Sequence, residues 1–197
     1  MIGKTPGFQN DRHLENPPKS KDLIVEIGPN LNPIPELSQK ILERIEAGSP
    51  YIAIGCDEEE IIPSARNKAF PGPAVVGDLV DLPLQDGVAG EIWLINVFGR
   101  LELAPNVNID KCFQELARVT KAGGKVIIGE FSPRSGALDE FEYRDLITND
   151  YHKFGFEKTV FQGQNFQNFW RQNQIPMSVL ETVKPENPFF LVLAKKN

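Results

Sequence analysis

The chain has 197 residues, a length that one ordinary domain fills and that suffices for a substantial core. Its 41% hydrophobic and 24% charged residues exclude an unfolded chain, and a formal charge of -6 gives polyanions no long-range attraction, so neither nucleic acid nor a membrane surface is expected as partner. No apolar run approaches the roughly 20 residues of a membrane-spanning helix. Nothing apolar follows Met1–Thr5 as in a secretory signal, and Ile2 excludes N-myristoylation, so a cytoplasmic location is expected.

Residues 1–21 are polar and broken by Pro6, Pro17 and Pro18, and read as an N-terminal arm. From Asp22 to the end, short apolar runs alternate with amphipathic helical patterns, the signature of an α/β domain built from βαβ units over 22–197. Leu23–Ile27 is the first strand, closed by Gly28. A helix follows with Ile34, Leu37, Ile41 and Ile45 on one face, Pro35 in its first turn and Gly48 at its end. Tyr51–Cys56 is the second strand, and Asp57 with Glu60 has capping-box spacing for a helix that Pro63 shortens or kinks. Ala74–Val76 is a short third strand. Ile92–Phe98 is apolar nearly throughout, as a strand covered on both faces should be.

Asn108 is placed to cap the clearest helix, in which Ile109, Cys112, Phe113, Leu116 and Ala117 form one stripe and Gly123-Gly124 mark the end. Val126–Phe131 is a fifth strand. A helix over about 136–153 sets Tyr143, Ile147 and Tyr151 on one side, and Phe156–Phe161 and Phe189–Ala194 complete the strands. Between those two, amides from Gln162 to Gln174 crowd around Phe166, Phe169 and Trp170. The aromatics either cap the sheet or form a partly wet acceptor wall or self-association surface. The two cysteines, Cys56 and Cys112, show no metal or disulfide spacing and read as small buried hydrophobes.

Four stretches, Val25–Asn32 closing strand one, Asp57 after strand two, Gly77–Gly87 and Glu115–Ile128, together resemble the class I S-adenosylmethionine-dependent methyltransferase family. Val25-Glu26-Ile27-Gly28-Pro29-Asn30-Leu31-Asn32 is similar to its opening cofactor loop, with Gly28 at the first glycine and Asn30 and Asn32 where two more are usual, a degenerate version of that loop. Asp57 stands after strand two, where relatives bind the ribose diol with an acid, although a helix cap is the plain alternative. Gly77-Asp78-Leu79-Val80-Asp81-Leu82-Pro83-Leu84-Gln85-Asp86 resembles the family's G-D-x-x-x-L-P-F-x-D passage. There the aspartate accepts from the adenine amino group beside a backbone donor, which gives those roles to Asp78 and Leu79. A simple turn aspartate is the alternative. Glu115 to Ile128 looks like the family's E-L-x-R-V-L-K-P-G-G-x-L-V-I passage, which speaks to architecture.

The resemblance implies a Rossmann-like three-layer αβα sandwich, with a seven-stranded, mostly parallel sheet whose last strand is antiparallel. It implies S-adenosylmethionine as cofactor, held by Glu26, Gly28, Asn30, Asp57, Asp78, Leu79 and Asn96, and a small-molecule or protein methyl acceptor. No metal site is expected. Pro29, Pro33 and Pro35 remove backbone donors that a dinucleotide's pyrophosphate would need, which favours the phosphate-free methyl donor over NAD. His13 in the arm, Asn96 after strand four and Glu130 at the end of strand five are the weak candidates for acceptor-side chemistry, while His152 reads as structural. The absent Pro-Pro-aromatic and Pro-Cys motifs disfavour amide, adenine-N6 and cytosine-C5 methylation. The second reading is a methyltransferase-like domain that has lost its cofactor and serves as a binding or scaffold module, motivated by Asn30, Asn32 and the three prolines.

Overall fold

The computed structural model describes residues 22–28, 39–56, 61, 71–98, 108–130, 146–174 and 189–197. Seven strands form one sheet in the order β3-β2-β1-β4-β5-β7-β6. They are β1 (Leu23–Ile27), β2 (Tyr51–Gly55), β3 (Ala74–Val76), β4 (Ala89–Ile95), β5 (Thr120–Glu130), β6 (Phe156–Gln162) and β7 (Phe189–Lys195). The first five run parallel, and β7 lies antiparallel between β5 and β6. The helices are α1 (Gln39–Glu46), α2 (Ile109–Val119) and α3 (Gly163–Gln172).

Strand alternation sends side chains to two cores. On one face Val25, Ile54, Ile92, Leu94, Val126, Ile128 and Leu191 pack with Cys112, Phe113, Leu116 and Val119 of α2. On the other, Ile24, Ala53, Trp93, Ile127 and Phe190 meet Ile41 of α1 and Phe166 and Trp170 of α3. Helices thus cover both faces, which is the three-layer sandwich. Every residue of β4 is buried, as its central place requires. β4 also carries a buried acid, Glu91, which accepts from Trp93 Nε1 (2.7 Å) and pairs with Arg44 (2.9 Å) and Lys125 (3.1 Å). A carboxylate removed from water in this way is tolerable because three donors replace the water.

Local chemistry explains most boundaries. Asn108 caps α2 by accepting from Lys111 N, as its side chain suggests. The expected end of that helix at Gly123-Gly124 is corrected: α2 stops at Val119, where Thr120 turns extended and its N–H and hydroxyl both bond Leu116 O. The glycines fall within β5, where the register against β4 shifts. β4 spans Ala89–Ile95 and not Ile92–Phe98, because Asn96 adopts φ 52 and breaks the extended run. The helix expected over 136–153 is also corrected in its described part. Residues 146–148 are helical, but Asp150 accepts from His152 N and starts a separate 3-10 turn, Tyr151–Phe154, that Gly155 ends at φ 80. Ile34, Leu37, Pro63 and Tyr143 lie outside the described residues.

Cys112 is buried, as expected, but Cys56 is exposed just beyond the end of β2, which corrects its assignment to the core. Burial pushes the Cys112 thiol up to about 11, and the neighbouring Asp78 carboxylate adds to the shift. The aromatics of α3 settle as core. Phe166 stacks on Phe190 at 5.2 Å, and Trp170 lies 5.9 Å from the same ring.

Two measurements follow from this packing. Phe166→Ala or Trp170→Ala should each lower the stability measured by urea unfolding by about 3–5 kcal/mol, whereas Gln167→Ala on the exposed face should change it by less than about 0.5 kcal/mol. Equal, small effects at all three positions would show the aromatics to be surface. An aromatic disulfide reagent near neutral pH should titrate Cys56 in the native chain and reach Cys112 only after unfolding; early modification of both would contradict the buried placement.

Candidate active site at the carboxyl edge of the sheet

Because β1 to β4 are parallel, their carboxyl ends share one edge, and the residues just past each strand gather there. The strand order reverses between β1 and β4, which is where such sheets leave a crevice. Gly28, past β1, takes φ 64, a region open to glycine at no steric cost. A Cβ there would also lie 2.8 Å from Val97 Cγ2, so glycine is required twice over. Asn96, past β4, is the second left-handed residue at this point, and its N–H bonds Gly129 O at 2.7 Å. Gly28 N reaches Ile54 O at 2.8 Å, and Gly77 N reaches Gly55 O at 3.0 Å, so the ladders run up to the rim.

Asp78 follows β3 and begins a tight turn. Its carboxylate accepts from Val80 N (3.0 Å) and its carbonyl from Asp81 N (3.0 Å). The side chain is exposed, while Leu79 beside it is buried. Gly77 makes the turn possible: a Cβ would stand 2.6 Å from Pro83 Cδ and 2.9 Å from Ile54 Cγ2.

Glu26 lies within β1 and is buried, and its carboxylate accepts a short hydrogen bond from the Tyr51 hydroxyl. Burial first, and then the Glu26 charge, drive the Tyr51 hydroxyl far above its ordinary value, so it remains a donor. Glu130, at the end of β5, is almost wholly buried and accepts from Phe98 N at 2.8 Å. Thus Glu26, Gly28, Asp78, Leu79, Asn96 and Glu130 all fall on or beside this rim. His13, Asn30 and Asp57 lie outside the described residues. His152 is exposed on the 3-10 turn, near a cavity of about 200 Å³ at the opposite, amino edge, where Lys158 already donates to Ile147 O and Asn149 O.

Sequence reasoning missed Tyr51 and Val97, whose parts depend on contacts to residues on neighbouring strands. It also missed what Glu115 and Arg118 do. Glu115 Oε1 accepts from Leu82 N at 2.7 Å, and hydrogen bonds from Arg118 hold its carboxyl below the usual carboxylate range. Their spacing within the E-L-x-R stretch was the one available signal.

Among the described residues this edge presents the exposed Asp78 carboxylate as an acceptor and a left-handed glycine turn at Gly28. Among the described residues no cluster of His, Cys, Asp and Glu could hold a metal ion, and no helix is long and apolar enough to cross a membrane.

Residues 38–128 match the family described as a methyltransferase domain. Over 75 residues the chain is 33% identical to a demethylmenaquinone methyltransferase of Mycolicibacterium gilvum, a match covering 38% of this chain and 31% of that protein. The chain therefore aligns with less than a third of that relative's length. Phosphoethanolamine N-methyltransferase 2 of Haemonchus contortus, solved with S-adenosyl-L-methionine, has a TM-score of 0.56 at 14% identity over 92% of this chain and 50% of that one. An S-adenosylmethionine-dependent methyltransferase of Methanosarcina mazei has a TM-score of 0.55 at 16% identity over 90% and 94% of the two chains. These structural likenesses speak for the fold: the seven-stranded sheet is the one those methyltransferases share, and residues 38–128 are similar in sequence to a methyltransferase domain.

Proposed function

We propose that residues 22–197 form one methyltransferase domain, with 1–21 as an arm, that binds S-adenosylmethionine across the carboxyl ends of β1 to β4 and transfers its methyl group to a small molecule or a protein side chain. The observation that carries this reading is the pair of turns on one rim, left-handed Gly28 after β1 and the Asp78 turn after β3, two strands apart. Gly28 lets the ligand approach the backbone. Asp78 accepts from the adenine amino group, and Leu79 supplies the backbone N–H beside it and an apolar floor. Glu26, fixed by Tyr51, and Asn30 line the first loop, while Asp57 accepts from the ribose hydroxyls. The parts of Asn30 and Asp57 rest on their sequence positions.

Bound there, S-adenosylmethionine supplies an activated methyl group on a sulfonium. The chain's own work is alignment of the acceptor with that methyl and exclusion of water. A base is needed only where the acceptor must shed a proton. Asn96, left-handed just past β4, is the better placed of the two acceptor-side candidates among the described residues. Glu130 is committed to Phe98 N and serves to hold the segment after β4. His13 stays a candidate on its sequence position. Two relatives are named for small acceptors, demethylmenaquinone and phosphoethanolamine, which favours the small-molecule branch.

Titration calorimetry with S-adenosylhomocysteine tests the reading. Binding is expected in the native chain, and Asp78→Ala should weaken it by about tenfold or more, equivalent to about 1.4 kcal/mol, without unfolding the domain. No heat at millimolar ligand would overturn it in favour of a scaffold domain whose Asn30 and Asn32 close the loop. Tyr51→Phe removes a donor from a buried carboxylate. It should cost about 1–3 kcal/mol in urea unfolding, and a neutral result would remove Glu26 from the site.

A further inference from the structure

The turn that carries Asp78 is anchored from the far side of the chain. Residues 77–88 connect β3 to β4 and, apart from the bridge between Asp78 and Asp81, have little ladder of their own. Their position over the sheet is instead set by α2. Glu115 Oε1 accepts from Leu82 N, and both Glu115 oxygens take Arg118, Nε to Oε2 at 2.8 Å and Nη2 to Oε1 at 2.5 Å. The same guanidinium then donates to Leu82 O at 3.1 Å, Leu84 O at 2.9 Å and the Asp86 carboxylate. One planar fork therefore joins a helical carboxylate to three acceptors on the connecting segment, a geometry that lysine cannot reproduce.

The helix end of this clamp is rigid. Cys112, Phe113, Leu116 and Val119 are fully buried against the sheet, so α2 has a single seat. The loop end is rigid too: Leu82 is buried, and Pro83 fits only because Gly77 lacks a side chain. Asp78 is four residues before Leu82 and belongs to the same turn. A shift of the clamp by an ångström would be passed to its carboxylate, and hydrogen-bond discrimination is lost over such distances.

We infer that Glu115 and Arg118 are positioning residues for base recognition, holding the Asp78–Leu82 turn at the height where the Asp78 carboxylate and the Leu79 N–H read the 6-amino edge of adenine. The inference rests on the cofactor site proposed above. It gives a specificity function to a pair that touches no ligand. A 6-oxo base opposes both partners: its carbonyl oxygen faces the carboxylate, and its protonated ring nitrogen faces the backbone N–H. A site built to hydrogen-bond one edge rejects the other strongly.

The experiment compares S-adenosylhomocysteine with S-inosylhomocysteine by calorimetry on the full chain, with the melting temperature recorded for every variant. The native chain should prefer the adenine compound by about tenfold or more. Glu115→Gln and Arg118→Gln should each reduce that preference severalfold, chiefly by weakening the adenine compound. Should Arg118→Gln not fold, Arg118→Lys, which keeps the charge and gives up the fork, carries the same ratio. A merely structural clamp would lower stability and both affinities together, leaving the ratio intact, and that result overturns the inference. Equal binding of both compounds by the native chain overturns it as well. Binding of neither removes the proposed cofactor site itself, an outcome distinct from the other two.

Discussion

Gly28 and Val97 meet so closely that a single added carbon would force β1 and β4 apart at the point where the sheet reverses its order. That contact decides the shape of the rim. The helices that follow β1 and β4, α1 and α2, pack on opposite faces of the sheet, the arrangement in which sheets of this kind bind ligands at the switch point. Two left-handed residues, Gly28 and Asn96, turn the chain away from it on either side. In the first, glycine is demanded by conformation and contact together. In the second, asparagine occupies the same region, which it tolerates better than other residues with side chains.

A second regularity runs through the structure. All the buried charged residues among those described are glutamates: Glu26, Glu91, Glu115 and Glu130. Each accepts from a group on a different part of the molecule or anchors a neighbouring core residue: a tyrosine hydroxyl, an indole with two cations, the Leu82 amide and the Phe98 amide. Unpaired, such groups would be costly. Paired, they give loops that lack ladder bonds a fixed reference. At Leu82 and Phe98 the recipient is the first stretch of backbone beyond the rim, where precision matters most for a ligand. For Arg118 the same geometry also keeps a cation partly out of solvent, hydrogen-bonded to the segment it organises.

The strands were legible because parallel, doubly covered strands are nearly continuous apolar runs, and α2 because its stripe and its Asn108 cap agree. Errors arose where an apolar residue serves something other than its own element. Val97 and Phe98 extend the apolar run of β4, yet they lie past the strand, because Asn96 turns left-handed, and their side chains stay buried in the core. Cys56 sits in an apolar context and is exposed because the strand ends one residue before it. Asp150 splits a helical pattern by capping the turn that follows. In the site, Gly28 and Asp78 were visible as motif positions. The clamp was not, since Glu115 and Leu82 are 33 residues apart and neither the hydrogen bond nor its direction leaves a periodic trace.

The placement of β7 bears on how the molecule is made. Among the described residues β6 pairs with β7 alone, and β5 offers that same strand its open side, so both edges wait for residues 189–195. The rings of α3 wait as well, because Phe190 is the surface on which they stack. A chain emerging from the ribosome can assemble the parallel half while this side still shows unpaired backbone and loose aromatic rings, features that invite aggregation. Closure then comes in one late step, in which a single seven-residue segment completes two ladders and one core layer together.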